Sequence, residues 1–216
     1  MFRKILIAFL LACGTLLSME VQIAFLESEN YATKELLAQF NSQYPAIKVK
    51  ILDKSSLDIN ESFVYALDEL VLFSNYKHDY DKGMKLLKES EIQKIFILNP
   101  STSLYGVSAI EAMKKERVYE NVKQKIVFVD SFSLEKLGEN EVAIIARSLL
   151  FKQDRTKFIK NIHWMEICSK LYTPVNQSIA ILKYDENNSD VKLFYDFIFS
   201  EGAEKILKDF GYTLAE

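Results

Sequence analysis

Two cysteines, two histidines, three prolines and six glycines are all that the 216 residues contain of those types. Cys13 lies in an N-terminal apolar stretch, and only Cys168 remains once that stretch is removed or lipidated. A disulfide staple is therefore excluded, and the core must do the stabilising. His78 and His163 are far apart and lack ligand spacing, which argues against a metal centre. His163 and Cys168 stand at i, i+5, a spacing that fits neither one helical face nor one strand face. No orienting motif accompanies them, so a nucleophile–base pair, and with it an enzyme, is disfavoured. There is no excess of positive charge. Lys and Arg number 27 against 30 Asp and Glu, a net charge of −3 without a basic stripe, which argues against nucleic acid as a partner. Low-complexity segments and short repeats are also missing. The one long apolar run, Ile5 to Leu17, is too short to span a bilayer comfortably.

What is present is core-forming material. The hydrophobic content is 49%, ample for one domain or two small lobes, and the 15 Phe and 11 Tyr are most simply core. The N-terminus has the layout of an export signal: Arg3-Lys4, the apolar run, then polar sequence from Met19-Glu20. Residues 1–18 are read as a signal peptide cleaved after Ser18, which makes the mature protein periplasmic. Two rivals stay open. Leu10-Leu11-Ala12-Cys13 resembles a lipoprotein box with Cys13 lipidated, and an uncleaved anchor is the other.

Strand and helix patterns alternate along the chain. Val21 to Leu26 reads as a strand, followed by cap residues Ser28-Glu29-Asn30 and a helix with Leu36, Leu37 and Phe40 on one face. Ile47, Val49 and Ile51 alternate with lysines, a strand with one wet side. Asp53 to Ser56 is a polar turn. Ile59, Phe63, Leu67 and Leu70 fit a helix while Glu69 to Ser74 fits a strand. The signals overlap, and Glu61 to Leu67 is left unassigned. Met84, Leu86 and Leu87 suggest a short helix.

Ile95 to Leu98 is a buried strand ended by Asn99-Pro100. Small hydroxyl residues follow, then Tyr105-Gly106 and a helical stripe of Val107, Ile110 and Met113. Such a helix start beside small hydroxyls suits an anion, although an ordinary βα turn has the same pattern. Ile126 to Val129 and Val142 to Ala146 are further strands, with the polar turn Asp130 to Ser133 between them. Lys152 to Lys160 reads as a solvated basic loop and His163 to Ile167 as a short extended segment. Gln177 to Leu182 is a strand, and two amphipathic helices close the chain, over Val191 to Phe199 and Ala203 to Phe210. The alternation argues for an α/β fold. Three turns share one chemistry: Ser28-Glu29-Asn30, Ser101 to Gly106, and Asp130 to Ser133. Ligands in open α/β sheets sit where such turns collect, at the carboxyl ends of strands.

Met84 to Pro100, Tyr105-Gly106, Val129 to Ser133 with Glu141 to Ala146, Tyr172-Thr173-Pro174-Val175, and Phe194 to Tyr212 occur in the order seen in a known family. The chain resembles the periplasmic molybdate-binding proteins of ABC importers. That resemblance implies a two-lobe type II periplasmic binding protein with mixed central sheets flanked by helices. Lobe 1 is expected over 19–74 and 171–216, and lobe 2 over 75–170. It implies capture of molybdate or tungstate by neutral donors, with no cofactor and no catalysis, for an ABC permease and its ATPase. A monomer is expected.

Carried over by position, the resemblance points to the Ser28 hydroxyl and to Ser55 or Ser56. It also points to the backbone amide of Tyr105 and that of Phe132 or Ser133. Without the resemblance, Ser28 reads as a helix cap and Ser55 and Ser56 as turn residues. The family's tyrosine falls at Ala146, so that hydroxyl is absent. Arg147, which follows it, reads either as a replacement charge or as a salt-bridge partner. Lys54 and Leu57 stand where the family has glycines. A strand and helix of lobe 1 have no counterpart between Asn60 and Leu70, and Glu27 and Glu29 flank Ser28. These departures support an alternative: a diverged paralogue that binds another small solute or acts as an envelope interaction protein.

Overall fold

The computed structural model describes residues 20–25, 31–52, 59–152, 157–182 and 188–215. The expected signal peptide over 1–18, Cys13, and the candidate residues Ser28, Ser55 and Ser56 lie outside the described residues. In chain order the elements are β1 (Glu20–Phe25), α1 (Thr33–Gln43), β2 (Lys48–Ile51), β3 (Ile59–Asp68), β4 (Leu70–Phe73), β5 (Lys94–Leu98), α2 (Leu104–Lys115) and α3 (Tyr119–Val122). Then follow β6 (Ile126–Val129), β7 (Glu141–Ala146), α4 (Arg147–Lys152), β8 (Trp164–Glu166), β9 (Val175–Leu182), α5 (Ser189–Ile198), α6 (Glu201–Asp209) and β10 (Thr213–Leu214).

They form two mixed sheets, with strand orders β10-β3-β9-β1-β2 and β6-β5-β7-β4-β8. In the first, β1 and β2 run parallel while β9 is antiparallel to both β1 and β3. In the second, β5 is parallel to both β6 and β7, and β4 is antiparallel to β7 and β8.

The apolar patterns explain the layers. In β4 (LVLF) every residue is buried. Leu70 and Leu72 enter one cluster with Ile95, Ile97 and Met113, while Val71 and Phe73 enter another with Leu150, Phe158 and Trp164. β7 divides the same way, Val142 and Ile144 to one face, Ala143 and Ile145 to the other. An uninterrupted apolar run is what a strand covered on both faces requires. The first sheet is covered by α1, α5 and α6, and the contact between α1 and α5 is aromatic. Phe40 meets Phe194 and Phe197 edge-on, with centroids 4.9 and 5.3 Å apart. Full burial of such side chains contributes roughly 1.5–3 kcal/mol each.

Two expectations change and one open reading is settled. The helical stripe Ile59-Phe63-Leu67 belongs to a strand, β3, which pairs with β9 from Ile59 to Asp68. Phe63, Val64 and Tyr65 are strand formers, and burial at Tyr65 and Ala66 does not follow the helical stripe. The lobe boundary also moves. β4 pairs in the second sheet, so the chain crosses between sheets at Glu69 and not at Ser74. The expected short helix near Met84 is a 3-10 segment, Tyr80–Lys88.

Candidate functional site

Both sheets direct the carboxyl ends of their parallel strands at the junction between them. Ala146, the last residue of β7, lies opposite Leu70, the first residue of β4 after the crossover. β5 and β6 end beside it. In the first sheet, Phe25 at the end of β1 pairs with Ile179 of β9, on the side of β9 nearest its start at Val175. β1 therefore ends at this junction. β2, which precedes Ser55 and Ser56, runs parallel to β1.

The turn after β5 is organised by Asn99. Its side-chain oxygen accepts from the Ser101 amide at 3.0 Å, and its carbonyl accepts from the Thr102 and Ser103 amides at 3.1 and 2.9 Å. Ser103 then stands at the cap position of α2, and its carbonyl accepts the first helical bond from Val107 at 3.2 Å. The amides of Leu104, Tyr105 and Gly106 precede that bond, so no helical acceptor serves them. Gly106 allows this start to press on the end of β5. A Cβ there would stand 2.1 Å from the Leu98 carbonyl oxygen. The turn after β6 emerges alongside, because the Asn99 amide donates to the Val129 carbonyl at 3.0 Å. Tyr105 and Phe132-Ser133 are thus brought to one edge. Ser133 leads only into a three-residue 3-10 turn, Leu134–Lys136.

Below the start of α2 lies a buried polar cluster that joins the two sheets. The Tyr105 hydroxyl donates to Asp68 Oδ2 at 2.9 Å and accepts from Gln177 Nε2 at 3.2 Å. The Ser148 amide donates to Asp68 Oδ1 at 3.2 Å, and the Ser148 hydroxyl donates to Oδ2. Asp68, Ser148 and Gln177 have no exposed surface. Burial pushes the Asp68 carboxyl up to about 6, against the opposing hydrogen bonds from Ser148 and Tyr105. Burial, followed by the charge of Asp68, drives the Tyr105 phenol far above its usual range. α2 is tied to the second crossover as well: the Ser108 hydroxyl donates to the Thr173 carbonyl at 2.9 Å, and Glu111 accepts from the Thr173 amide at 2.7 Å.

A profile described as bacterial extracellular solute-binding protein matches residues 49–213, most of the chain. The chain belongs to the bacterial extracellular solute-binding protein family. Among curated relatives, the molybdate-binding protein ModA of Rhodobacter capsulatus is 29% identical over 155 residues, covering 70% of this chain and 59% of that protein. The chain thus spans about three fifths of the relative's length. Among solved structures, the Azotobacter vinelandii periplasmic molybdate-binding protein superposes with a TM-score of 0.68 at 18% identity, covering 92% of this chain and all of that one. A phosphate-bound substrate-binding protein from Clostridium perfringens shares the fold at a TM-score of 0.57 and 14% identity, over 91% of this chain and 100% of that one.

In this solute-binding protein Ala146 ends β7 in a buried position, 5% exposed, and carries no hydroxyl. Arg147 is not a replacement charge for a ligand. Its guanidinium pairs with Glu69, lies 3.6 Å from Glu166, and donates to the Gly211 carbonyl at 2.6 Å and to Thr213 Oγ1 at 2.9 Å. It therefore bridges the two sheets. Cys168 is exposed and free, and among the described residues no group of His, Cys, Asp and Glu is arranged to hold a metal ion. The sequence reading missed Asp68, Ser148 and Gln177. The available signals were two carboxylates, Asp68 and Glu69, interrupting the apolar run Tyr65 to Leu72, and a glutamine heading an apolar strand.

Proposed function

We propose that this solute-binding protein captures a tetrahedral oxyanion, molybdate or tungstate, between its two lobes and delivers it to an ABC permease and its ATPase. The observation that carries the reading is the start of α2. Three amides without helical acceptors sit at the carboxyl edge of a sheet that faces the other sheet, beside a second polar turn. Dipoles and hydrogen bonds of this kind hold a dianion without a fixed cation, and Arg147, the nearby cation, is already engaged. The amide of Tyr105 and that of Phe132 or Ser133 serve as donors from lobe 2, with the hydroxyls of Ser28 and of Ser55 or Ser56 from lobe 1. The ModA relative supports the ligand class. The role is binding with lobe closure, not catalysis, in an exported, periplasmic monomer.

Thermal unfolding with added anion is the test. A ligand that binds only the folded form at a hundredfold excess over Kd stabilises by about 2.7 kcal/mol, a rise in Tm of roughly 5–10 °C. Molybdate and tungstate are expected to give such a rise. Its absence with both at millimolar concentration contradicts the reading, and a rise with phosphate alone reassigns the ligand. The second reading, a diverged protein for another small solute or an envelope partner, draws on Asp68. A buried negative charge beneath the site disfavours a dianion.

A further inference from the structure

Asp68 is the one carboxylate among the described residues that is wholly buried. It comes from β3 of one lobe and is held by two elements of the other, α2 through Tyr105 and α4 through Ser148. The Tyr105 side chain and one hydrogen bond of 2.9 Å connect it to the Tyr105 amide in the first turn of α2. Like charges in a dry site are poorly screened, so a dianion at that amide and a carboxylate behind it cannot both remain charged without cost.

We propose that Asp68 couples oxyanion capture to proton uptake: it is a fixed like charge beneath the anion-facing start of α2, and a bound dianion forces it to become neutral. This rests on the oxyanion reading above. Burial has already brought the carboxyl to about 6, so only a small further push moves its titration to neutral pH. The groups that face it are Tyr105 from α2, Ser148 and Arg147 from α4, Gln177 from β9, and Tyr172 and Glu69 at the crossovers. Arg147 favours the charged form, but its own charge is balanced by Glu69 and Glu166. The cluster also holds one unpaired acceptor. Gln177 Oε1 is buried and has no hydrogen-bond partner among the described residues. Gln177 reaches Asp68 only through the Tyr105 hydroxyl, to which its Nε2 donates at 3.2 Å.

Calorimetric titration of the full chain with molybdate, run between about pH 8 and about pH 6 in buffers of different ionisation enthalpy, tests this. Wild-type protein is expected to bind roughly fivefold more tightly at the acid end, the effect of a shift of one pKa unit on binding from about 6, with net proton uptake near pH 7. The shape-conserving Asp68→Asn is expected to bind about tenfold more tightly than wild type at pH 8, with no pH dependence and no proton uptake. Wild-type binding with neither pH dependence nor proton uptake overturns the coupling, and this result needs no variant to fold. Unchanged pH dependence in Asp68→Asn overturns the assignment to Asp68. Absence of binding by both proteins at every pH overturns the oxyanion reading itself, and the coupling with it.

Discussion

At the residue scale Asp68 also governs how stability changes with pH. Its ordinary value of 3.8 rises to about 6 in the folded protein. Between those values the folded state binds more protons than the unfolded state. The contribution is therefore fully present below about pH 4 and is lost as pH rises through about 6, amounting to about 3 kcal/mol. Glu111 works in the opposite sense: its hydrogen bonds to Lys115 and Thr173 lower it to about 2, so its contribution is lost in acid. The difference between Asp68→Asn and wild type isolates the first effect. In urea unfolding the variant is expected to gain on wild type as pH rises from about 4.5 to about 7.5, and a constant difference contradicts the assignment. Arg147 carries a separate expectation. Its side chain is 15% exposed and contacts Glu69, Gly211 and Thr213, so Arg147→Ala should cost about 2 kcal/mol of unfolding free energy. A loss under about 0.5 kcal/mol would mean that the bridge is not structural. These bonds escape a linear reading because the partners are distant in sequence: Tyr105 lies 37 residues from Asp68, and Ser148 lies 80.

At the scale of elements, the strand–turn–helix unit from Lys94 to Lys115 is the most legible part of the chain. Its apolar strand, its Asn-Pro stop and its helix are local signals that the structure follows, although the buried face of α2 runs through Tyr105, Ala109, Ala112 and Met113 while Val107 is exposed. Gly106 is the contact on which that unit depends. With 2.1 Å between a new Cβ and the Leu98 carbonyl oxygen, Gly106→Ala must displace the start of α2. The expected cost is about 3 kcal/mol by chemical denaturation, with loss of anion binding. A variant with wild-type stability would show that the helix start is not fixed by this approach. β3 was less legible. Its residues satisfy a helical stripe, and only pairing with β9 and β10, over a hundred residues downstream, decides for the strand. Long-range pairing overrides a local pattern there.

At the scale of the molecule, two five-stranded sheets share a junction crossed by the chain at Glu69 and again at Thr173-Pro174. The type II two-lobe architecture was readable because the order of its strands and helices is preserved. The exact crossover was not, since Leu70 to Phe73 is apolar enough for either sheet and only its pairing with β7 places it. The junction is closed by more than the chain itself. Asp68 to Ser148 and Arg147 to Gly211 and Thr213 join the lobes through side chains. The bond from Tyr105 to Asp68 likewise ties the first turn of α2 to β3 of the other sheet. The most direct test is calorimetric titration of the purified protein with molybdate at neutral pH. Saturable heat with one anion per chain is the expected result. Absence of heat with molybdate and with tungstate, from protein shown to be folded, contradicts the account.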